Sequence, residues 1–355
     1  MQVSQDPDTP AESHSNMVGP KAIRSVALRL VVFLLPLIII LAAILIIDPL
    51  RVFRDHDNFY GAENFLELNR ENICLRTFEN NFPEHQYNAF IFGNSRSLAF
   101  STSDWATYLP DDAVPFHFDG LGDTLWGVRN KLRYLKKRGA EIRYVLWALD
   151  EELLAGTSNQ SNHLRIAPPA LSGESAARFY KVSLQAILEP RMALAWIDYS
   201  LFQTRRDYMQ TLIRPDPEAI SMDPVTADID YRVEYEIQKD PDAFYEPRMH
   251  IFYQRPATPQ SEPSEITETH LNLLEEIATI LRESGTDFRI VINPLYNQVP
   301  IHDDWLRTLT NVLGQDRIHN FSGVNDLTQD YRNYYETSHF RPHVASQILK
   351  SIYSE

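Results

Sequence analysis

FIFGNSRSLAF, Phe90–Phe100, holds the turn from which the rest of the chain is read. Tyr87–Gly93 is a short apolar run that ends in Gly93-Asn94, the pattern of a buried strand running into a turn. Ser95 then stands where the strand gives way to a helix. A serine at that place has two uses. Its hydroxyl can cap the helix by accepting a backbone N–H. It can also attack a carbonyl carbon once a base takes its proton.

Outward from this turn, strand and helix patterns alternate. Val114–Gly120 reads as a second strand, Thr124–Gly139 as a helix stopped by glycine, and Ile142–Asp150 as a third strand. After a gap the alternation resumes, with a helix over Ser264–Gly285, a strand at Asp287–Pro294 and a helix over Asp303–Gly314. A short strand at Ile318–Gly323 and a last helix at His343–Tyr353 complete it. Such alternation predicts an α/β fold, a three-layer αβα sandwich around a central parallel sheet, occupying residues 86–355. The gap, about 155–263, is rich in proline and aromatic residues and contains a helix at Ala176–Pro190. It reads as an insertion outside the core strands, a lid or a partner surface. No internal repeat is found.

The N-terminal part has a different character. Leu30–Ile47 is 18 residues without a charge, about 27 Å of helix against a hydrocarbon core of about 30 Å. Asp48-Pro49-Leu50 makes a poor cleavage site, so residues 26–47 are expected to be a retained transmembrane signal anchor. Pro36 is tolerable inside a membrane helix. Lys21, Arg24 and Arg29 precede the span, whereas Arg51 and Arg54 follow it among Asp48, Asp55 and Asp57. This bias predicts a cytoplasmic tail over 1–25, disordered through Pro20, a juxtamembrane linker over 48–85, and a single-pass protein whose main domain is periplasmic or extracellular. A net charge of −15 argues against nucleic acid as a partner. Cys74, the one cysteine, excludes an intramolecular disulfide and any multi-cysteine zinc site.

In open parallel sheets ligands sit beyond the carboxyl ends of the strands. Three stretches are expected there: GNSRS, DGLGDT (Asp119–Thr124) and YETSHFRP (Tyr335–Pro342). In the last, Glu336 precedes His339 by three residues. That spacing can aim the carboxylate at Nδ1 and leave Nε2 free to take a proton from Ser95, the logic of a Ser-His-acid triad. The alternative is a surface histidine near a helix start. The N–H groups of Ser95 and Gly122 are the candidate oxyanion donors. His339 and His343 are four apart, but Pro342 lies between them and no third ligand is evident, so no metal is predicted. Gly120, Gly122 and Gly127 are spaced G-x-G-x4-G, which departs from the dinucleotide fingerprint. No cofactor is predicted.

Taken in order, FGNSRS, LGDT and ETSHFRP resemble the blocks of the SGNH/GDSL hydrolase superfamily, and the Gly-x-Ser-Arg form resembles that of its membrane-anchored members. The resemblance spans roughly Tyr87–Ile352, with the insertion unmatched. It implies a flavodoxin-like SGNH fold, with Ser95 as nucleophile, His339 as base, Glu336 at the usual aspartate position and Gly122 in the oxyanion hole. It also implies ester hydrolysis or O-acyl transfer on a cell-envelope or exported polysaccharide, beside envelope biosynthesis proteins. One departure stands out. The family's third block supplies an asparagine to the oxyanion hole, but here the third strand ends in ALDEEL, with Asp150 and no asparagine. Asn94 and Asn293 are the candidate substitutes. A second expectation therefore stands beside the first: a non-catalytic member of a polysaccharide assembly or export complex.

Overall fold

Side-chain alternation along short, fully buried strands builds the centre of the molecule. The computed structural model describes residues 20–61, 64–262 and 265–354, and divides into two compact units, Met1–Asp48 and Pro49–Glu355. In the second unit the strands are β1 (Ala89–Phe92), β2 (Pro115–His117), β3 (Tyr144–Leu149), β4 (Ile220–Met222), β5 (Ile229–Tyr231), β6 (Asp287–Ile292) and β7 (Ile318–Asn320). Five of them pair in parallel in the order β2-β1-β3-β6-β7. The register of β3 on β6 runs from Tyr144 opposite Asp287 to Leu149 opposite Ile292.

Successive residues of a strand face opposite sides of its sheet. Phe90, Phe92, Trp147 and Ile290 accordingly enter one core with the helices Arg70–His85, Leu125–Arg138, Glu268–Glu283 and Asp303–Leu313. Ala89, Ile91, Leu146 and Val291 enter a second core with Trp105 and the helix Pro342–Tyr353. Helices thus cover both faces of the parallel sheet, as the strands' near-continuous apolar runs require. The fold is α/β and compatible with a three-layer αβα sandwich. Element ends follow local chemistry. Thr124 caps its helix by accepting the Gly127 N–H at 3.0 Å, and Gly139 ends it at φ +76°.

The segment 48–85, expected to be a juxtamembrane linker, holds the helix Arg70–His85, which packs into the first core. Asn69 caps the helix Arg70–His85, and Ile73, Cys74 and Phe78 are buried. The apolar residues of the helix are interleaved with Arg70, Glu71 and Asn72, which are themselves buried, so its composition reads as polar although it packs into the core. Among the described residues the insertion supplies no strand of the parallel sheet, but it is built into the domain. The Thr226 carbonyl accepts the His117 N–H at 2.9 Å, and Ala227 lies in the first core. It also carries a helix that the sequence reading lacks, Pro190–Phe202, started by a proline immediately after the helix Ala176–Leu188.

In the first unit, Pro20–Ile47 is one helix, and its Leu28–Ile47 stretch is long and apolar enough to cross a membrane. The helix therefore begins inside the segment assigned to the tail. Residues 1–19, expected to be disordered, lie outside the described residues.

Candidate active site

The strand order reverses between β1 and β3, and the chain leaving β1 enters the crevice beyond that reversal, where open sheets bind ligands. Gly93 makes the exit. A Cβ there would lie 2.6 Å from the Ala148 carbonyl oxygen and 2.7 Å from Ser97 Cβ, so no other residue lets the turn pack so closely on β3. Asn94 then caps the 3-10 turn Ser95–Ala99, its side chain accepting the Arg96 N–H at 3.0 Å. The cap is therefore Asn94, and the Ser95 hydroxyl is left for another partner.

That partner is His339, whose Nε2 is 2.8 Å from Ser95 Oγ. On the far side of the ring, Nδ1 is 2.5 Å from Glu336 Oε1. The Ser338 N–H donates to the other Glu336 oxygen at 2.7 Å, and the Tyr335 N–H donates to the His339 carbonyl at 3.0 Å, closing the loop. Burial alone would raise the Glu336 carboxyl. The hydrogen bond and charge of His339, with the backbone N–H groups of Ser338 and His339, outweigh it and hold the carboxyl below its ordinary range. Glu336 thus stays ionised near neutrality, oriented on a ring whose other nitrogen faces a serine hydroxyl. The three residues that the spacing singled out are brought together. They border a cavity of about 300 Å³ walled by Leu98, Tyr231, Val233, Tyr335 and Phe340.

Asp150 is the centre of a second group. It is buried, and it accepts from Asn94 Nδ2 at 3.0 Å, Asn293 Nδ2 at 3.1 Å and Arg96 Nη1 at 2.9 Å. Both amides put forward as substitute oxyanion donors are thereby turned onto this carboxylate. Arg96 also donates from Nε to the Ser338 carbonyl at 3.1 Å, joining the Ser95 turn and the end of β3 to the His339 loop. A cavity of about 250 Å³ opens beside this group, lined by Arg96, Glu152, Asn293 and Ser322 among others.

Gly122 lies on the turn after β2, in the left-handed region at φ +61°. Its loop is tied to the Ser95 loop by the Gly120 N–H, which donates to the Gly93 carbonyl at 3.2 Å. Gly122 does not line the cavity that holds Ser95 and His339. Among the described residues neither its N–H nor that of Ser95 has a hydrogen-bond acceptor. Charges buried beneath this loop fix it: Arg70 pairs with Asp119 at 2.7 Å, and Lys131 with Asp123 at 2.6 Å and Glu71 at 3.2 Å. The glycines at 120 and 127 admit these carboxylates, since a Cβ on Gly120 would meet Glu71 Cγ at 2.7 Å and one on Gly127 would strike Asp123. Their spacing serves packing on a charge cluster. The His343 ring lies 2.8 Å from Asn333 Oδ1, so it does not converge with His339.

Sequence reasoning passed over Arg96 and Ser97 inside its own motif, and also His117, Asp228, Glu234 and Arg341. One signal was available: His117 interrupts an aromatic strand, VPFHFDG, where a buried polar ring needs partners. No family model matches this chain, and no curated protein matches it at a significant level.

Proposed function

We propose that this chain is a membrane-anchored serine esterase or O-acyltransferase of SGNH type. The observation that carries the reading is the Ser95–His339–Glu336 chain of contacts, 2.8 Å and 2.5 Å, with Ser95 just past the carboxyl end of β1. Ser95 Oγ attacks the ester carbonyl while its proton passes to His339 Nε2, and Glu336 holds Nδ1–H and stabilises the charged ring. The carbonyl oxygen gains the negative charge and is met by the Ser95 N–H, with the Gly122 N–H as the second donor that the resemblance implies. Collapse expels the alcohol, which takes the proton from His339 and leaves an acyl-serine. Water as acceptor then gives hydrolysis, and a sugar hydroxyl gives transfer. The strand order β2-β1-β3-β6-β7, which is 2-1-3-4-5 when the strands of the parallel sheet alone are counted, supports the flavodoxin-like SGNH fold.

An acyl ester of an envelope or exported polysaccharide is the substrate class that agrees with the resemblance and with the apolar helix Leu28–Ile47. The charge bias around that helix favours a cytoplasmic N-terminus and an outer main domain. Asp150, which draws the Asn94 and Asn293 amides away from any oxyanion, favours a second reading: a non-catalytic component of a polysaccharide assembly or export complex.

A fluorophosphonate probe on the detergent-solubilised full chain separates the two. The hydrolase reading expects a covalent adduct that peptide mapping places on Ser95. Folded protein that stays unlabelled would leave only the binding reading.

A further inference from the structure

The insertion reaches both halves of the site through one short stretch. Asp228 points under the Ser95 turn. Its Oδ1 is 3.1 Å from His117 Nδ1, while its Oδ2 accepts from the Thr102 N–H at 2.8 Å and the Thr102 hydroxyl at 2.6 Å. His117 Nε2 is 3.2 Å from Ser97 Oγ, and the Ser97 hydroxyl donates at 2.8 Å to the carbonyl of Asn94, the residue before the nucleophile. Ser97, His117 and Asp228 are the residue types of a triad, but Ser97 and His117 are 0 % exposed. Their bonds run into the backbone of the Ser95 turn.

Six residues on, Glu234 grips the other half. It accepts from Arg341 Nε at 3.0 Å and Nη2 at 2.7 Å, and from the Tyr335 hydroxyl at 2.8 Å. Tyr335 and Arg341 are the two ends of the loop that carries Glu336 and His339. Burial would raise the Glu234 carboxyl, but the Arg341 and Tyr335 bonds outweigh it and keep it ionised. Between the two carboxylates, Tyr231 and Val233 form one wall of the cavity beside Ser95, with the Tyr231 and Tyr335 rings 6.0 Å apart.

We propose that Asp228–Glu234 is a clamp in which Asp228 and Glu234 are positioning residues for Ser95 and His339, and Tyr231 and Val233 set the length of the acyl group bound beside them. The inference rests on the esterase reading. It makes the insertion part of the site, holding two loops that the parallel sheet supports only at their bases. A short acyl chain would lie against Tyr231, with the ester carbonyl at Ser95 and the alcohol portion directed away from this wall. Misplacing a reacting group by about 1 Å can cost about 100-fold in rate. One methylene in an apolar pocket discriminates by about 10-fold or more.

The test uses the full chain in detergent and a series of p-nitrophenyl esters from acetate to octanoate. Rates are normalised to Ser95 titrated with the fluorophosphonate probe. Glu234→Gln and Asp228→Asn are expected to lower kcat per titrated site by about 10- to 100-fold with KM nearly unchanged, and Glu234→Asp to recover part of the loss. Tyr231→Ala is expected to move the preferred chain length upward by at least two carbons, and Tyr231→Phe, which keeps the ring, to move it by less than one. The chain-length preference is a ratio of kcat/KM values, so partial unfolding of a variant does not alter it. A labelled, active wild type whose variants keep the same kcat per site and the same preference would overturn the clamp and leave the esterase standing. A folded wild type with neither labelling nor turnover would overturn both.

Discussion

On the esterase reading, replacing Ser95 by alanine separates chemistry from architecture, because that reading gives the two duties of the turn to different residues. Among the described residues the Ser95 hydroxyl makes one hydrogen bond, 2.8 Å to a His339 whose side chain is 42 % exposed. Such a bond contributes about 1 kcal/mol, and less where water competes for it. Ser95→Ala should therefore shift Tm by no more than about 2 °C in a domain of this size. Asn94 carries the cap and also donates to buried Asp150. Losing a cap costs about 1 kcal/mol, and an unmet buried hydrogen bond a further 1–3 kcal/mol. Asn94→Ala should then be the less stable variant by about 2 kcal/mol or more, while its folded fraction still labels at Ser95. For turnover the order reverses. Ser95→Ala should lose on the order of 10⁴-fold or more in kcat, and adding His339→Ala should cost little further, because nucleophile and base act as one unit. The assays are ester turnover and thermal unfolding by near-ultraviolet circular dichroism on the same detergent-solubilised samples. Retained turnover in Ser95→Ala, or a larger loss of stability there than in Asn94→Ala, would refute the division of roles.

Other outcomes follow from the charges. Asp150→Ala should destabilise by about 3 kcal/mol or more, since Arg96, Asn94 and Asn293 lose a shared acceptor, and Asp150→Asn should cost less; urea unfolding measures both. Glu336 sits below its ordinary carboxyl value of 4.5, so its share of stability is present above that value and lost as pH falls through the lowered one. Glu336→Gln should flatten that acid limb, modestly because the side chain is 36 % exposed, and should lower turnover less than His339→Ala does. Glu71 behaves in the opposite sense. Burial, with Asp123 beside it, pushes its carboxyl up to about 7 against the pull of Lys131, so stability should fall as pH rises from about 4.5 to about 7. Glu71→Gln should remove that slope in melts recorded across the interval. A reporter fused after Glu355 should be active only outside the cytoplasm, and an active cytoplasmic fusion would reverse the orientation drawn from Lys21, Arg24 and Arg29.

Much of the fold was legible because its signals are local. The runs at Phe90 and Val145 are apolar on every residue, which only strands buried on both faces need, and Thr124 and Gly139 mark a helix by their own backbone preferences. The order of GNSRS, DGLGDT and ETSHF placed Ser95 after β1 and Glu336 with His339 after β7, at one end of the sheet, because a parallel sheet carries all its carboxyl ends on the same side. The helix Arg70–His85 escaped notice, since its apolar stripe is narrow and its polar residues pair with distant partners such as Asp119.

By itself the sequence determined the alternation of strands and helices, the apolar helix near the N-terminus, and the residue types of the Ser-His-Glu set. Each of these is written in periodicity or spacing within a few residues. The tertiary structure alone decided that Asn94 is the cap and that Asp150 takes both candidate amides. It also decided that the insertion sends Asp228 and Glu234 to opposite loops of the site. The contacts of Asp150, Asp228 and Glu234 join residues about 50 to 140 positions apart. A hydrogen bond depends on distance and direction in space, and no local pattern in the chain records which far partner completes it.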